Sequence, residues 1–185
     1  MDPIEPPEPQ TLDDTTRELV ELTGIRNGGT PLAIIEVLAH RPDLVGPFLE
    51  WSAALASSRA LGLRRHEMVA LRASWHFQSD YEWGNHARYA LDAGLTEAEL
   101  DALGDHAGAA AFEDPSDQLV VRLVDEMIAG DAAPSRDALR EALGDAALVD
   151  LAWTVGQYVG LSLVADTLAI PIGDDLRRAP PRSPR

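Results

Sequence analysis

Residues 64–96, RRHEMVALRASWHFQSDYEWGNHARYALDAGLT, carry two predicted helices joined by a short polar turn. In the first helix, small and apolar residues recur at three- and four-residue intervals as far as Ser74, which is the spacing of one helical face. The second helix is expected to end before Gly94, because glycine favours the position that follows a helix C-terminus. The segment therefore predicts a helical hairpin in the middle of the chain.

The rest of the chain has the same helical character. Alanine and leucine predominate, and the alternation expected of half-buried strands is missing. Thr96 and Glu99 form a capping-box pattern, Asp114 precedes a proline as at a helix start, and Ser135 is expected to cap a short helix. Five predicted helices span about residues 13–22, 31–40, 64–77, 80–93 and 145–168. Four more are predicted to begin near residues 43, 96, 114 and 135. The predicted fold is an all-α bundle of helical hairpins.

Proline-rich ends flank the helical part of the chain. Prolines among residues 1–11 and among residues 179–185 block regular structure, so both segments are predicted to be flexible tails. Residues 12–178 between them are long enough for one domain with a full hydrophobic core. We therefore expect a single all-helical domain.

The composition argues against several classes of function. The formal net charge of −16 repels phosphate backbones and anionic lipids, so neither nucleic acid nor a membrane is an expected partner. The N-terminus lacks the basic start and apolar stretch of a signal peptide, and no run approaches the length needed to cross a bilayer, so a cytoplasmic location is expected. Because there is no cysteine, disulfides, thiolate metal sites and cysteine-based redox cycles are excluded.

Glu67 is the first candidate for chemistry, because it lies on the apolar face of the first helix of the hairpin. It shares that face with Leu63, Ala70, Leu71 and Ser74. A carboxylate on a core-facing stripe needs a partner, or its pKa rises. The structural alternative is a carboxylate that favours the positive end of the helix dipole in the first turn.

Glu82 and His86 are the second candidates, since they lie four residues apart on one helical face. A carboxylate beside an imidazole orients the ring, selects its tautomer and raises its pKa, which gives a usable acid–base pair. The alternative is an exposed helix pair of little energetic value. Tyr81 and Trp83 beside them are candidate walls of an apolar substrate pocket.

Three further side chains are predicted to contact a substrate, namely His76, Trp153 and Tyr158. Trp153 and Tyr158 could equally be core or subunit-interface aromatics. His66 is flanked by charged residues and is expected to be solvated.

A metal site is conceivable from four side chains, Glu67, His76, Glu82 and His86. The sequence has neither the His-x-x-x-His nor the Glu-x-x-His spacing that would indicate such a site on a helix. We therefore expect neither a metal nor another cofactor.

Three short motifs follow one another through the hairpin, His66-Glu67-Met-Val-Ala-Leu71, Ser79-Asp-Tyr-Glu82-Trp-Gly-Asn-His86 and Ala93-Gly94-Leu95-Thr96. Their order and spacing resemble the core motif of the carboxymuconolactone decarboxylase and alkyl hydroperoxidase D superfamily. The segments AHRPDLVGPFLEWSAAL and LVDLAWTVGQYVGLSLVADTLAIPI are similar to its upstream and closing helices. The resemblance covers residues 15–175 and implies an all-helical fold in a homo-oligomer, which would be a trimer, a hexamer or a dimer.

The resemblance also assigns positions to the residues of the site. The peroxidase branch uses a Cys-x-x-Cys pair, a following histidine and an upstream relay glutamate. Glu67 falls at the relay glutamate, His86 at the histidine, and the cysteine positions fall on Ser79 and Glu82. Neither replacement can form a thiolate, so thiol peroxidase activity is not expected. The decarboxylase branch carries a glutamate four residues before the histidine, as here, but lacks one at the position of Glu67, so the sequence mixes features of both branches.

Residues and resemblance together favour a cofactor-free acid–base enzyme with Glu67, Glu82 and His86 as catalytic residues. Its reaction would be that of a decarboxylase, an isomerase or a cyclase/dehydratase on a small carbonyl-containing acid or lactone. Two alternatives stay open. One is a non-catalytic oligomeric binding or scaffold member of the family, and the other is a metal-dependent enzyme with glutamate and histidine ligands.

Overall fold

The computed structural model describes residues 2–131 and 133–182, apart from the side chains of Arg26 and Ala133. Met1 and residues 183–185, which belong to the two predicted tails, lie outside the described residues. Over the described part the chain forms helices and no strand, which confirms the predicted all-α fold. The α-helices are α1 (Asp14–Thr23), α2 (Ala33–Leu38), α3 (Pro42–Ala56), α4 (Leu63–His76), α5 (Asp80–Asp92), α6 (Glu97–Leu103), α7 (Pro115–Ala129), α8 (Ala133–Leu143) and α9 (Asp145–Thr167).

The chain folds as two compact units. The first comprises Met1–Ala54 and Thr167–Pro171, and the second comprises Leu55–Asp166 and Ile172–Arg185. Every candidate site residue belongs to the second unit. The expectation of a single domain over residues 12–178 stays a prediction.

The first unit begins with a capped helix. Asp13 caps α1, because its carboxylate accepts a hydrogen bond from the backbone N–H of Thr16 at 2.9 Å. The backbone N–H of Ile4 donates to the carbonyl oxygen of Leu168 at 3.1 Å. Part of the predicted N-terminal tail is therefore hydrogen-bonded to the segment that follows α9.

Helix α4 is the centre of the second unit. All of its residues from His66 to Trp75 are buried, and the helix packs against α5 and α7. Polar and charged side chains are buried along with the apolar ones, including those of His66, Glu67 and Arg72. Buried polar groups require hydrogen-bonding partners, so the packing around α4 determines where these side chains point.

The predicted helical hairpin is formed by α4 and α5. Ser79 caps α5 by accepting a hydrogen bond from the backbone N–H of Glu82 at 3.3 Å, and Gly94 follows the helix with a φ of 91°. Gly84 in the middle of α5 allows a close approach of the C-terminal segment. A Cβ atom at this position would lie 3.0 Å from Leu176 Cβ and 3.2 Å from the carbonyl oxygen of Arg177.

The C-terminal segment of the second unit is held by polar contacts. Arg177 pairs with Glu97 at 3.0 Å, and the backbone N–H of Ala179 donates to Asp80 Oδ1 at 3.0 Å. These contacts reach the first residue of the predicted C-terminal tail. The flexibility of residues 179–185 stays a prediction.

Two sequence expectations about the last helices are wrong, namely the cap at Ser135 and the absence of a run long enough to cross a bilayer. Helix α8 begins at Ala133 and is not capped by Ser135, whose hydroxyl donates to Glu126 Oε1 at 2.6 Å. Helix α9 has 23 residues and is long and apolar enough to cross a membrane, by length and composition alone. Core helices of soluble proteins that are mostly buried meet the same test, and 33% of the apolar window of α9 is buried. The expectation that no membrane is a partner stays a prediction.

Candidate active site

Three ionisable side chains, those of Glu67, Glu82 and His86, converge in the second unit and are called the His86 cluster below. Glu67 lies near the start of α4, and Glu82 and His86 lie one turn apart on α5, which packs against α4. The side chains of the two glutamates are each 5% exposed and that of His86 is 12% exposed. His86 is therefore the member of the cluster most accessible to a small molecule.

Glu67 is the direct partner of His86. Its Oε2 atom lies 2.6 Å from His86 Nδ1, which donates its N–H to the carboxylate. This charge-assisted bond fixes the orientation of the ring and leaves Nε2 for chemistry. The sequence predicted that Glu82 would orient the ring and that Glu67 would either be a second acid–base group or hold His86. In the structure Glu67 holds the ring, and Glu82 does not. The contact between α4 and α5 brings Glu67 closer to His86 than the i, i+4 spacing brings Glu82.

Glu82 faces the other nitrogen of the ring. Its Oε2 atom lies 3.8 Å from His86 Nε2, which is longer than a hydrogen bond. Burial raises the pKa of Glu82 to about 7, although the positive charge of His86 opposes the shift. Near neutral pH the Glu82 carboxyl group can therefore either hold or accept a proton.

The pKa of His86 is set by opposing effects. Burial alone lowers it, but the charge of Glu67, the hydrogen bond from Nδ1 and the charge of Glu82 raise it above its usual value. The groups on either side of the 3.8 Å separation thus both favour their protonated forms more than they would in water. A carboxyl group with a pKa of about 7 beside an oriented imidazole suits proton transfer in either direction.

Tyr158 of α9 and His66 of α4 extend the His86 cluster. The rings of Tyr158 and His86 meet edge to face with their centroids 4.6 Å apart. On its other side, Tyr158 Oη lies 2.9 Å from His66 Nε2. The predicted substrate contact at Tyr158 thus lies beside the candidate catalytic residues, and His66 is a residue that the sequence analysis did not include in the site.

The expectation that His66 is solvated is wrong, since only 2% of the residue is exposed. Its neighbours Arg64 and Arg65 pair with Asp117 of α7, at 3.4 and 2.7 Å, and do not draw the histidine to the surface. The residues at positions 69, 70 and 73 continue the helical face of His66 and are small or apolar. That stripe was the sequence signal for a buried histidine.

His76 lies in a different cluster. Its Nε2 atom is 2.7 Å from Asp125 Oδ1 of α7, and Arg72 Nε is 2.6 Å from the same oxygen. His76 is nine residues from Glu67 along α4, which corresponds to about 13 Å. We call His76, Asp125 and Arg72 the His76 cluster and do not assign it to the substrate.

The other predicted substrate contacts are dispersed. Trp153 is 59% exposed and does not belong to the buried cluster. Trp83 is fully buried in the hydrophobic core. Tyr81 is 6% exposed, and its carbonyl oxygen accepts a hydrogen bond from Asn85 Nδ2 at 2.9 Å.

The four side chains considered as metal ligands do not come together, because His76 is hydrogen-bonded to Asp125 and lies away from the His86 cluster. Within the two described ranges of the chain, no group of three or more histidine or acidic side chains has the arrangement of a metal site. The arrangement of the His86 cluster is instead that of an imidazole held at one nitrogen, with a second proton carrier facing the other.

Comparison with known proteins bears on the fold and the family. The model of the carboxymuconolactone decarboxylase family matches residues 42–119, which include all three residues of the His86 cluster. No curated protein matches the sequence. A crystal structure of an alkylhydroperoxidase AhpD core, an uncharacterized peroxidase-related protein from Ralstonia eutropha JMP134, is similar in fold. It has a TM-score of 0.78 and 21% sequence identity, and the match covers 93% of this chain and 92% of that chain.

Both comparisons cover α4 and α5, the helices that carry the three motifs of the sequence resemblance. The family model matches the part of the sequence that contains the hairpin, and the structural match extends the likeness of fold over nearly the whole chain. Residues 42–119 of this chain thus match the carboxymuconolactone decarboxylase family, and the chain has the fold of an alkylhydroperoxidase AhpD core.

Proposed function

We propose that the chain is a cofactor-free acid–base enzyme that moves a proton at a carbon activated by a carbonyl group. Its substrate would be a small carbonyl-containing acid or lactone, and its reaction a decarboxylation, an isomerisation or a cyclisation or dehydration. One observation carries the proposal. His86 is held at Nδ1 by Glu67 at 2.6 Å, and its Nε2 faces Glu82 at 3.8 Å.

In an isomerisation, the Glu82 carboxylate or the neutral Nε2 of His86 removes a proton from the activated carbon. The electron pair of the C–H bond passes into an enolate. Whichever of Glu82 and His86 is then protonated gives a proton to a different carbon. In a decarboxylation, the bond between the activated carbon and the carboxylate breaks, CO2 leaves, and its bonding electrons form the enolate. Protonated His86 then supplies the proton to carbon. Glu67 keeps the ring in place throughout.

Thiol peroxidase chemistry is not part of the proposal, because the chain has no cysteine to form the thiolate that such chemistry requires. The word peroxidase in the description of the structural neighbour applies to that protein. A homo-oligomer, either a trimer, a hexamer or a dimer, and a cytoplasmic location are further parts of the proposal.

Deuterium exchange tests the proposal before the natural substrate is known. The full-length protein is incubated in D2O with a panel of small oxo acids and unsaturated lactones, and deuterium uptake at the activated carbon is followed by NMR. We expect His86→Gln to slow the exchange by about 10²- to 10⁴-fold. Glu67→Gln should slow it by about ten- to a hundredfold, since it weakens a charge-assisted hydrogen bond.

The matched control is His76→Gln, which removes another buried histidine–carboxylate contact on α4. Equal exchange rates in wild type, His86→Gln and Glu82→Gln would contradict acid–base function. Absence of exchange for the whole panel, with retained binding of one of its members, would support the non-catalytic binding alternative. Metal content of protein purified without chelators tests the metal-dependent alternative.

A further inference from the structure

Tyr158 lies against His86, and His66 lies against Tyr158. Neither has a part in the proton transfer described above. The centroids of the Tyr158 and His86 rings are 4.6 Å apart, and those of Tyr158 and His66 are 5.5 Å apart, both edge to face. Tyr158 is 4% exposed and His66 is 2% exposed, so both polar groups have been removed from water. The Tyr158 ring thus lies directly beside the imidazole to which the proposed function assigns the proton transfer.

The direction of the hydrogen bond between the two residues determines what the hydroxyl can offer. Tyr158 Oη lies 2.9 Å from His66 Nε2, while His66 Nδ1 is buried and has no hydrogen-bond partner in residues 2–131 and 133–182. If the hydroxyl donated, Nδ1 would carry the proton of the neutral ring and become a buried N–H without an acceptor, which is rare. If Nε2 donates, Nδ1 keeps only a lone pair, and the hydroxyl proton is free for another acceptor.

The surrounding charges favour donation by Nε2. Burial lowers the pKa of His66 to about 4, so the ring is neutral near pH 7 and has a single N–H. Burial raises the pKa of Tyr158 well above its usual range, and the negative charges of Glu67 and Glu82 raise it further. The hydroxyl therefore keeps its proton, which the negative charges of these two glutamates attract.

We propose that Tyr158 donates a hydrogen bond to the carbonyl oxygen of the substrate, and that His66 is a positioning residue that holds the Tyr158 hydroxyl. The inference rests on the proposed function and deepens it. When the C–H or C–C electron pair passes into the enolate, the carbonyl oxygen gains negative charge and the bond from Tyr158 becomes stronger, while Tyr158 keeps its proton. The oxygen that accepts this hydrogen bond is the one that becomes the enolate oxygen in the substrate class proposed above.

Binding of 4-nitrophenol tests the role of Tyr158 without any need for turnover. The bound phenolate presents an oxyanion like that of an enolate, and its absorbance reports both affinity and ionisation. We expect Tyr158→Phe to weaken phenolate binding by about ten- to a hundredfold, because a hydrogen bond to a charged oxygen is lost. The matched control is Tyr89→Phe, since Tyr89 also meets the His86 ring edge to face, at 5.5 Å, and its hydroxyl is paired with Arg88.

Equal affinities of Tyr158→Phe and Tyr89→Phe would overturn the inference, and so would failure of the wild-type protein to bind the phenolate. The positioning role of His66 is tested with two variants. His66→Leu should weaken binding in the same direction as Tyr158→Phe, and His66→Gln should restore part of it, because its amide can donate from the place of Nε2. No effect of His66→Leu would overturn the positioning role.

A measurement on the wild-type protein covers the case in which a variant fails to fold. Long-range ¹⁵N–¹H NMR spectra identify the tautomer of each histidine. We expect the Nε2–H tautomer for His66, and the Nδ1–H tautomer would overturn the proposal.

The two proposals fail in distinguishable ways. If His86→Gln abolishes deuterium exchange while Tyr158→Phe leaves phenolate binding unchanged, the proposed function stands and the inference about Tyr158 falls. If the exchange does not depend on His86, the proposed function falls, and phenolate binding still reports whether Tyr158 donates to an oxyanion.

Discussion

Two histidine–carboxylate clusters lie along α4. They differ in the presence of an arginine and in the exposure of the carboxylate, which is 31% for the Asp125 side chain and 5% for that of Glu82. In the His76 cluster, Arg72 binds both carboxylate oxygens of Asp125, at 2.6 and 2.9 Å, and also the carbonyl oxygen of Leu103 at 2.8 Å. In the His86 cluster, within the described chain, neither Glu67 nor Glu82 pairs with an arginine.

The carboxylates of the two clusters respond differently to burial. Burial alone raises the pKa of Asp125, but hydrogen bonds and charges from His76 and Arg72 lower it below its usual value. Glu82 has no such cation beyond His86, and its pKa rises to about 7. A buried histidine–carboxylate contact is thus a structural ion pair when a permanent cation accompanies it, and a candidate proton carrier when none does.

The largest effect is expected from removing the cation of the His76 cluster. Arg72→Met removes the permanent cation beside Asp125 and the donor to the buried carbonyl oxygen of Leu103, which should lower the free energy of unfolding by about 3–5 kcal/mol. Denaturant titration measures the loss. The control is Arg140→Met, since the Arg140–Asp145 pair is 60% and 73% exposed and should contribute less than about 1 kcal/mol. A similar loss in both variants would contradict the structural role of Arg72.

A second prediction concerns the pH dependence of stability in the His86 cluster. The folded pKa of Glu82, about 7, lies above its ordinary value of 4.5, so between these pH values the folded state holds a proton that the unfolded state has released. Stability therefore falls as pH rises through this window. Glu82→Gln should match wild type below pH 4.5 and exceed it above pH 7, by a difference on the order of 3 kcal/mol. A constant difference across the window would contradict the shifted pKa of Glu82.

The smallest effect is expected for His76→Gln. The substitution weakens one hydrogen bond to Asp125 and keeps Arg72 in place, so it should cost about 1 kcal/mol of stability. The rate of deuterium exchange into the substrate panel should change by less than about twofold, because distant sites without shared partners have nearly independent effects. A loss of exchange comparable with that of His86→Gln would show that the His76 cluster takes part in the chemistry.

The sequence predicted the fold well because its signals are local. Helical periodicity placed Glu67 on the apolar face of α4, and the four-residue spacing placed Glu82 beside His86. Capping at Thr96 is present as predicted, with both hydrogen bonds of the capping box. The cap predicted at Ser135 failed because the hydroxyl finds a partner on α7, at Glu126, which no local pattern could indicate.

The arrangement of the site was less predictable, because it depends on partners distant in sequence. His66 is separated by 92 residues from the tyrosine that it contacts, and His76 by 49 residues from Asp125. The choice of Glu67 over Glu82 as the partner of His86 Nδ1 depends on how α4 and α5 pack against each other. Periodicity predicts which face of a helix carries a side chain, but tertiary packing decides which atom it meets.

The most direct test of the contrast between the two clusters is a ¹³C NMR titration of the side-chain carboxyl groups in the folded protein. The account predicts that Glu82 titrates at about 7, whereas Asp125 remains ionised down to pH values below its ordinary pKa of 3.8. A Glu82 midpoint near 4.5, its ordinary value, would contradict the assignment of the His86 cluster as a proton-transfer site.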